Sequence, residues 1–128
     1  MLLVDDSEDL RHVLSLFLTS VGYECDGAGS AGEAMRFADS GVEYDVAVVD
    51  LVLCDKPGVS VCTEFSRRGL PVIVLTGLDQ TIARRLCGPN VPVLVKPFDL
   101  CELGRTVSEQ IGRQNKCRCP LSAERDHI

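Results

Sequence analysis

The sequence predicts an α/β domain built as an open, doubly wound sheet of five parallel strands with helices on both faces. Two observations lead there. Apolar, β-branched runs alternate five times with stretches of helical period, within about 112 of the 128 residues. A closed barrel of the same alternation needs eight repeats and about 250 residues, so the sheet must stay open.

Each element has its own local reason. Leu2-Leu3-Val4 reads as a short buried strand, and Ser7 as the N-cap of the helix that follows. Leu10, Val13, Leu14, Phe17, Leu18 and Val21 recur at helical spacing and predict the buried stripe of that helix, with Gly22 as its stop. A second strand is expected near Tyr23–Ala28, and Ser30-Ala31-Gly32-Glu33 has the form of a capping box opening a second helix that Gly41 ends. Asp45-Val46-Ala47-Val48-Val49-Asp50 is the third strand, and Lys56-Pro57-Gly58 the turn after it. Val59–Arg68 forms the third helix, with Gly69 beyond it. Leu70-Pro71-Val72-Ile73-Val74-Leu75 is apolar throughout, as a strand covered on both faces must be. Asp79–Cys87 is a short helix, and Val91–Val95 a fifth strand with its proline near the start. Asp99 caps a last helix with the apolar stripe Leu100, Leu103, Val107 and Ile111.

Composition narrows the class of partner. The chain is 45% hydrophobic and 25% charged, ordinary globular usage. The formal net charge is −6 and uneven: residues 1–111 hold 9 basic and 17 acidic side chains, residues 112–128 hold 4 and 2. A body this acidic repels phosphate backbones, so cations and basic protein surfaces are expected as partners and direct nucleic-acid contact is not. No apolar run is long enough to span a bilayer, and Asp5-Asp6 falls where a signal peptide would still be apolar, so no membrane insertion is expected. The seven cysteines are odd in number and scattered, which fits a reduced, cytoplasmic setting better than a disulfide framework. Cys25, Cys62, Cys87 and Cys101 are expected to be small core residues.

In an open parallel sheet, functional groups gather at the carboxyl ends of the strands. Here those ends carry Asp5-Asp6, Asp50, Thr76 and Lys96. Any one would be an ordinary solvated loop residue; polar groups at four of five strand ends on one rim are hard to assign to chance. Crowded carboxylates repel unless a cation joins them, and hard oxygen ligands suit Mg²⁺. A carboxylate can also act as a nucleophile toward phosphorus. Lys96 could then neutralise a transferred phosphoryl group and Thr76 donate a hydrogen bond to it.

The pattern resembles the receiver domain of two-component response regulators. The matching residues are Leu3-Val4-Asp5-Asp6 followed by Arg11, Val48-Val49-Asp50-Leu51 with Gly58, Leu75-Thr76-Gly77, and Lys96-Pro97-Phe98. The resemblance implies a flavodoxin-like (βα)5 sheet in strand order 2-1-3-4-5. It implies that Asp50 accepts a phosphoryl group from a histidine kinase or phosphotransfer protein, with Thr76 and Lys96 on the phosphoryl oxygens. Asp6, the Asp50 carboxylate and the backbone carbonyl of Val52 would hold Mg²⁺, with Asp5 acting mainly through water. It further implies a cis Lys96–Pro97 bond, and a signalling domain that catalyses only its own phosphorylation and dephosphorylation rather than an enzyme.

Several positions depart from that family's pattern. Cys54 replaces a common proline, Val93 replaces an aromatic that swings inward on activation, and Gly88-Pro89-Asn90-Val91-Pro92 replaces a Gly-Ala turn with only 20 positions from Thr76 to Lys96, so the fourth helix should be short. Val52 and Leu78, two residues after Asp50 and Thr76, are apolar where polar side chains help orient hydrolytic water; a long-lived acyl phosphate is therefore expected. The receiver is expected over residues 1–112, with 113–128 as a flexible tail or a truncated linker; Cys117, Cys119 and His127 in that tail make a poor zinc set. The alternative reading is a receiver-fold module that signals by binding alone, without phosphorylation. Such degenerate members typically lose an acidic residue, the threonine or the lysine, and all are present here. A phosphate-binding enzyme of another kind is disfavoured, since the chain lacks a Gly-rich phosphate loop. Arg67-Arg68 reads as a solvated helix end and Asp55 as a turn residue.

Overall fold

The structure is a computed structural model that describes residues 1–88 and 90–114. Five strands, β1 (Leu2–Val4), β2 (Asp26–Ala28), β3 (Ala47–Asp50), β4 (Val72–Thr76) and β5 (Val93–Val95), alternate with α1 (Glu8–Ser20), α2 (Ala31–Asp39), α3 (Gly58–Arg67), α4 (Gln80–Cys87) and α5 (Leu100–Gln114). The sheet has the order β2-β1-β3-β4-β5, and every neighbouring pair is parallel.

The period of two along the strands divides the core. Leu2, Val4, Ala47, Val49, Val72 and Val74 point to one face, where Ala31, Ala34, Val61 and Phe65 of α2 and α3 meet them. Leu3, Val48, Ile73, Leu75 and Leu94 point to the other, against Leu14 and Leu18 of α1 and Leu103 and Val107 of α5. Burying each large aliphatic or aromatic side chain contributes roughly 1.5–3 kcal/mol, so both layers are needed to hold the sheet.

Ser7, Ser30 and Asp99 accept backbone N–H bonds at the helix starts, as the sequence predicts, and Asp79, expected as the first residue of α4, is its N-cap. Glu33 differs in one detail. Its Oε1 accepts from the Gly29 amide at 2.6 Å, one residue before the N-cap, so the reciprocal half of the box closes on the incoming loop. The outer strands are shorter than expected: β2 begins at Asp26 and β5 at Val93.

Three expected core positions are corrected. Val13 is 46% exposed, because it lies a full 100° step around the helix from Leu14, beyond the strip that the sheet and α5 cover. Val21 is the C-cap of α1 and 37% exposed, since the chain has already left the helical path there. Cys101 is likewise exposed, pointing away from the Leu103–Val107 stripe of α5, whereas Cys62 is buried and Cys25 and Cys87 are partly so. The expected tail from 115 onward lies outside the described residues.

Candidate functional site

The strand registers bring the predicted residues to one rim. Asp5 follows β1 directly, its amide held by the Ala28 carbonyl at 3.1 Å. Asp50 ends β3 and pairs with Leu75; Thr76 ends β4 and pairs with Val95. Lys96 is the next residue, its amide bonded to the Thr76 carbonyl at 2.7 Å. Carboxylate oxygens of Asp5, Asp6 and Asp50 all lie within 4.8 Å of one another. Asp5, Asp50 and Thr76 are buried and Asp6 is exposed, so the cluster opens to solvent on one side.

The hydrogen bonds define what each group can still do. Asp50 Oδ1 accepts the Val52 amide at 3.0 Å, and its Oδ2 accepts from Lys96 Nζ at 2.7 Å. Asp5 Oδ1 accepts the Ser7 amide at 2.8 Å. Asp5 Oδ2 is buried and accepts no hydrogen bond, although the Lys96 ammonium stands 3.5 Å away. At that distance the ammonium supplies attraction, while its short hydrogen bond goes to Asp50. Thr76 Oγ1 accepts the Leu78 amide at 2.9 Å, which leaves the hydroxyl proton free to donate outward.

These environments shift the charges in opposite senses. Burial pushes the Asp5 carboxyl above its ordinary value, partly offset by the Ser7 amide and reinforced by the neighbouring charge of Asp50. For Lys96, burial alone would lower the ammonium; the hydrogen bond to Asp50 and the charges of Asp5 and Asp50 outweigh it, and the net shift is upward. A buried carboxylate oxygen without a hydrogen bond, two further carboxylates alongside and an all-oxygen donor set fit a hard divalent cation such as Mg²⁺.

Three supports surround the cluster. Gly58, at the start of α3, lies so close to β3 that a Cβ there would sit 2.1 Å from the Asp50 carbonyl oxygen; only glycine fits. Its amide closes the loop by donating to the Leu51 carbonyl at 2.8 Å. Arg11 Nη1 donates to the Asp5 carbonyl at 2.7 Å, and its side chain runs over Gly27 and Gly29, where any Cβ would approach it at 3.1–3.2 Å. Asp55, read from the sequence as a turn residue, instead accepts two backbone amides of α2, from Ala31 at 2.9 Å and Gly32 at 3.0 Å. No local pattern marks that role, because the partners lie 24 and 23 positions earlier. The Arg11–glycine fit had a signal, two glycines two positions apart, Gly27 in edge strand β2 and Gly29 just after it.

The Lys96–Pro97 bond is cis. Val93 is buried and sits in the first core layer, so an aliphatic side chain fills the place where the family pattern has an aromatic. Space for a Cβ at Gly77 is open, which leaves the approach to Thr76 unblocked. Val52 and Leu78 are both exposed beside the cluster.

The family profile described as "Response regulator receiver domain" matches residues 1–108. The chain belongs to that family. This receiver is 35% identical over 118 residues to the transcriptional regulatory protein PmrA of Pectobacterium parmentieri, which covers 88% of this chain and 52% of the relative. It is 32% identical over 120 residues to the transcriptional regulatory protein BasR of Escherichia coli K12, covering 90% and 53%. The receiver thus spans about half the length of these curated relatives. Among solved structures, the Francisella response regulator 1452 receiver domain superposes with a TM-score of 0.77 at 27% identity, over 88% of this chain and 96% of that one. The Thermotoga maritima response regulator TrrA, solved in complex with Mg²⁺-BeF, gives 0.73 at 27% identity, over 85% and 96%. It is a receiver domain of the two-component response regulator kind, a phosphoacceptor signalling domain rather than an enzyme acting on a separate substrate. No helix among the described residues is long and apolar enough to cross a membrane.

Proposed function

We propose that this receiver is switched by phosphorylation of Asp50, with Thr76 and Lys96 receiving the phosphoryl oxygens and Asp5, Asp6, Asp50 and the Val52 carbonyl holding Mg²⁺. The observation that carries the reading is the unsatisfied Asp5 Oδ2, buried within reach of two more carboxylates and an ammonium. A buried charged acceptor without a hydrogen bond costs folding free energy, and a group that binds there during function accounts for its presence.

The residues divide the work by position. An Asp50 carboxylate oxygen attacks phosphorus as the bond from phosphorus to the donor's imidazole nitrogen breaks, and the imidazole takes up a proton. Lys96 Nζ, already 2.7 Å from Asp50 Oδ2, has only to follow the new charge outward. The Thr76 hydroxyl donates to a second phosphoryl oxygen without releasing the Leu78 amide. Bound Mg²⁺ supplies the charge neutralisation that lets carboxylates and phosphoryl oxygens share the rim. The donor is a histidine kinase or histidine phosphotransfer protein in the cytoplasm. We assign residues 1–112 to the receiver, with α5 running two residues past that boundary, and 113–128 to a tail or linker, with output through a downstream protein or an effector domain.

Intact-protein mass after incubation with acetyl phosphate, with and without Mg²⁺, tests the reading beside an Asp50→Asn control. One Mg²⁺-dependent phosphoryl group, absent from the control, is expected. A folded protein that acquires none under conditions that load a reference receiver would leave a binding-only module as the function.

A further inference from the structure

The loop after Asp50 ends in a carboxylate that the phosphoryl chemistry does not use. Asp55 reaches across to the amino end of α2, where Oδ1 accepts the Ala31 amide and Oδ2 the Gly32 amide. Ser30 takes the Glu33 amide, so the free donors of that first helical turn are all occupied, two of them by a residue from another loop. The amides pull the Asp55 carboxyl below its ordinary value, Ala31 first and Gly32 second.

The rest of the loop is held near its base, where the Val52 amide donates to Asp50 Oδ1 at 3.0 Å, and much less toward its apex. Leu51 and Leu53 are buried, but Val52 and the segment from Cys54 to Pro57 are exposed. Cys54 does not fix φ as a proline would, and its Sγ makes only a 3.9 Å contact with the Gly29 carbonyl. At its base the loop is closed by the Val52–Pro57 bridge and by the Gly58 amide. At its apex, Asp55 is the residue that ties it to a different element by two hydrogen bonds, at 2.9 and 3.0 Å. Val52 lies three residues from that tie and two from Asp50.

We propose that Asp55 is a positioning residue for the cation site: by bridging the β3–α3 loop to the amino end of α2, it sets the place of the Val52 carbonyl. The proposal rests on the Mg²⁺ site of the preceding section. Residues that orient metal ligands from outside the ligand set commonly change affinity by about 10- to 100-fold when removed, and a tether acting through three residues belongs at the low end of that range.

Calorimetric Mg²⁺ titration of the full chain tests it, with a urea unfolding curve for every variant. Asp55→Ala is expected to weaken Mg²⁺ binding roughly tenfold. Asp55→Asn keeps one side-chain acceptor and should lose less. Glu8→Gln removes the same unit of charge from the first turn of α1 and should stay within about twofold, which separates tethering from long-range electrostatics. Asp55→Ala that binds Mg²⁺ as tightly as wild type while its urea midpoint falls makes Asp55 a helix cap alone and overturns the proposal. Equal weakening in Glu8→Gln and Asp55→Asn overturns it in favour of charge. Wild type that binds no Mg²⁺ overturns the underlying site as well, and the acetyl phosphate experiment identifies that case independently.

Discussion

Two groups of carboxylates at opposite ends of the molecule have opposite fates. At the carboxyl rim of the sheet, Asp5 is buried, one of its oxygens has no hydrogen bond, and its carboxyl is pushed up. At the far end, where α2 and α3 finish, Glu64 accepts from Arg67 at 2.6 Å and from Arg68 at 2.8 Å, and Arg68 also reaches Asp39 at 2.7 Å. The hydrogen bonds from Arg67 and Arg68 pull the Glu64 carboxyl down to about 2. The far end satisfies its charges and, being exposed, gains little from them. The rim holds charges that folding alone would reject. Charge that is left expensive where it is buried, and satisfied where it is cheap, marks the rim as the place where a ligand completes the structure.

The largest expected effect tests whether the rim is rigid. Gly58→Ala places a methyl group against the backbone of Asp50 and Leu51, with no flexible side chain to yield, and should cost about 3 kcal/mol or more in urea unfolding. A loss below about 1 kcal/mol would show that the β3–α3 junction can part without harm.

Asp5→Asn comes next and has the opposite sign. Removing a buried, under-satisfied charge should raise cation-free stability by about 1 kcal/mol while weakening the gain that Mg²⁺ confers. The pH dependence carries the same contrast. Because the folded-state Asp5 carboxyl is raised above its ordinary 3.8, it penalises folding at neutral pH, and the penalty lifts as pH falls through the raised value. Glu64 is depressed, so its contribution is complete above its ordinary 4.5 and is lost as pH falls from there toward about 2. Cation-free protein should therefore gain stability on mild acidification before losing it. Asp5→Asn should flatten the first limb alone, and Glu64→Gln should soften the second. A monotonic fall from neutral pH downward in wild type would contradict the assignment of strain to Asp5.

Much of the rim was legible in the sequence for a reason of geometry. Asp5, Asp6, Asp50, Thr76 and Lys96 each follow or end an apolar strand run, and parallel topology sends all such ends to one side. What escaped depends on contacts made at long range or at angles around a helix. Asp55 caps a helix 24 residues behind it, and Val13 falls just outside the covered arc of α1. The Arg67-Arg68 pair lies between these cases. Its bonds to Glu64 follow the three- and four-residue spacing of a helix surface and could have been read, whereas Asp39 comes from another helix.

A smaller effect concerns what the rim leaves open. Val52 is 61% exposed, so replacing it costs the fold little. It nonetheless stands next to the phosphoacceptor with nothing polar to direct a water. Val52→Asn should shorten the acyl phosphate half-time about three- to tenfold, equivalent to about 0.7–1.4 kcal/mol of barrier, with the urea midpoint unchanged. A half-time that barely moves would assign slow decay to something other than these apolar neighbours.

The smallest effect is expected at the far end and sets the scale for the rest. Glu64→Gln deprives Arg67 of its ionic partner, while Arg68 keeps Asp39. The pairs are exposed, their side chains are long, and salt screens them, so the urea midpoint should fall slightly at low ionic strength and the difference should fade as salt is added. Mg²⁺ affinity should not change, because the pair lies at the opposite end of α3 from the cluster. The low carboxyl value of Glu64 and the raised one of Asp5 are both departures from ordinary acids, yet their energetic meaning differs because water readily replaces the arginines at the exposed end, whereas Asp5 Oδ2 is buried without a hydrogen bond at the other. If Glu64→Gln destabilised the protein as much as Asp5→Asn stabilised it, solvent exposure would not be what separates the two ends.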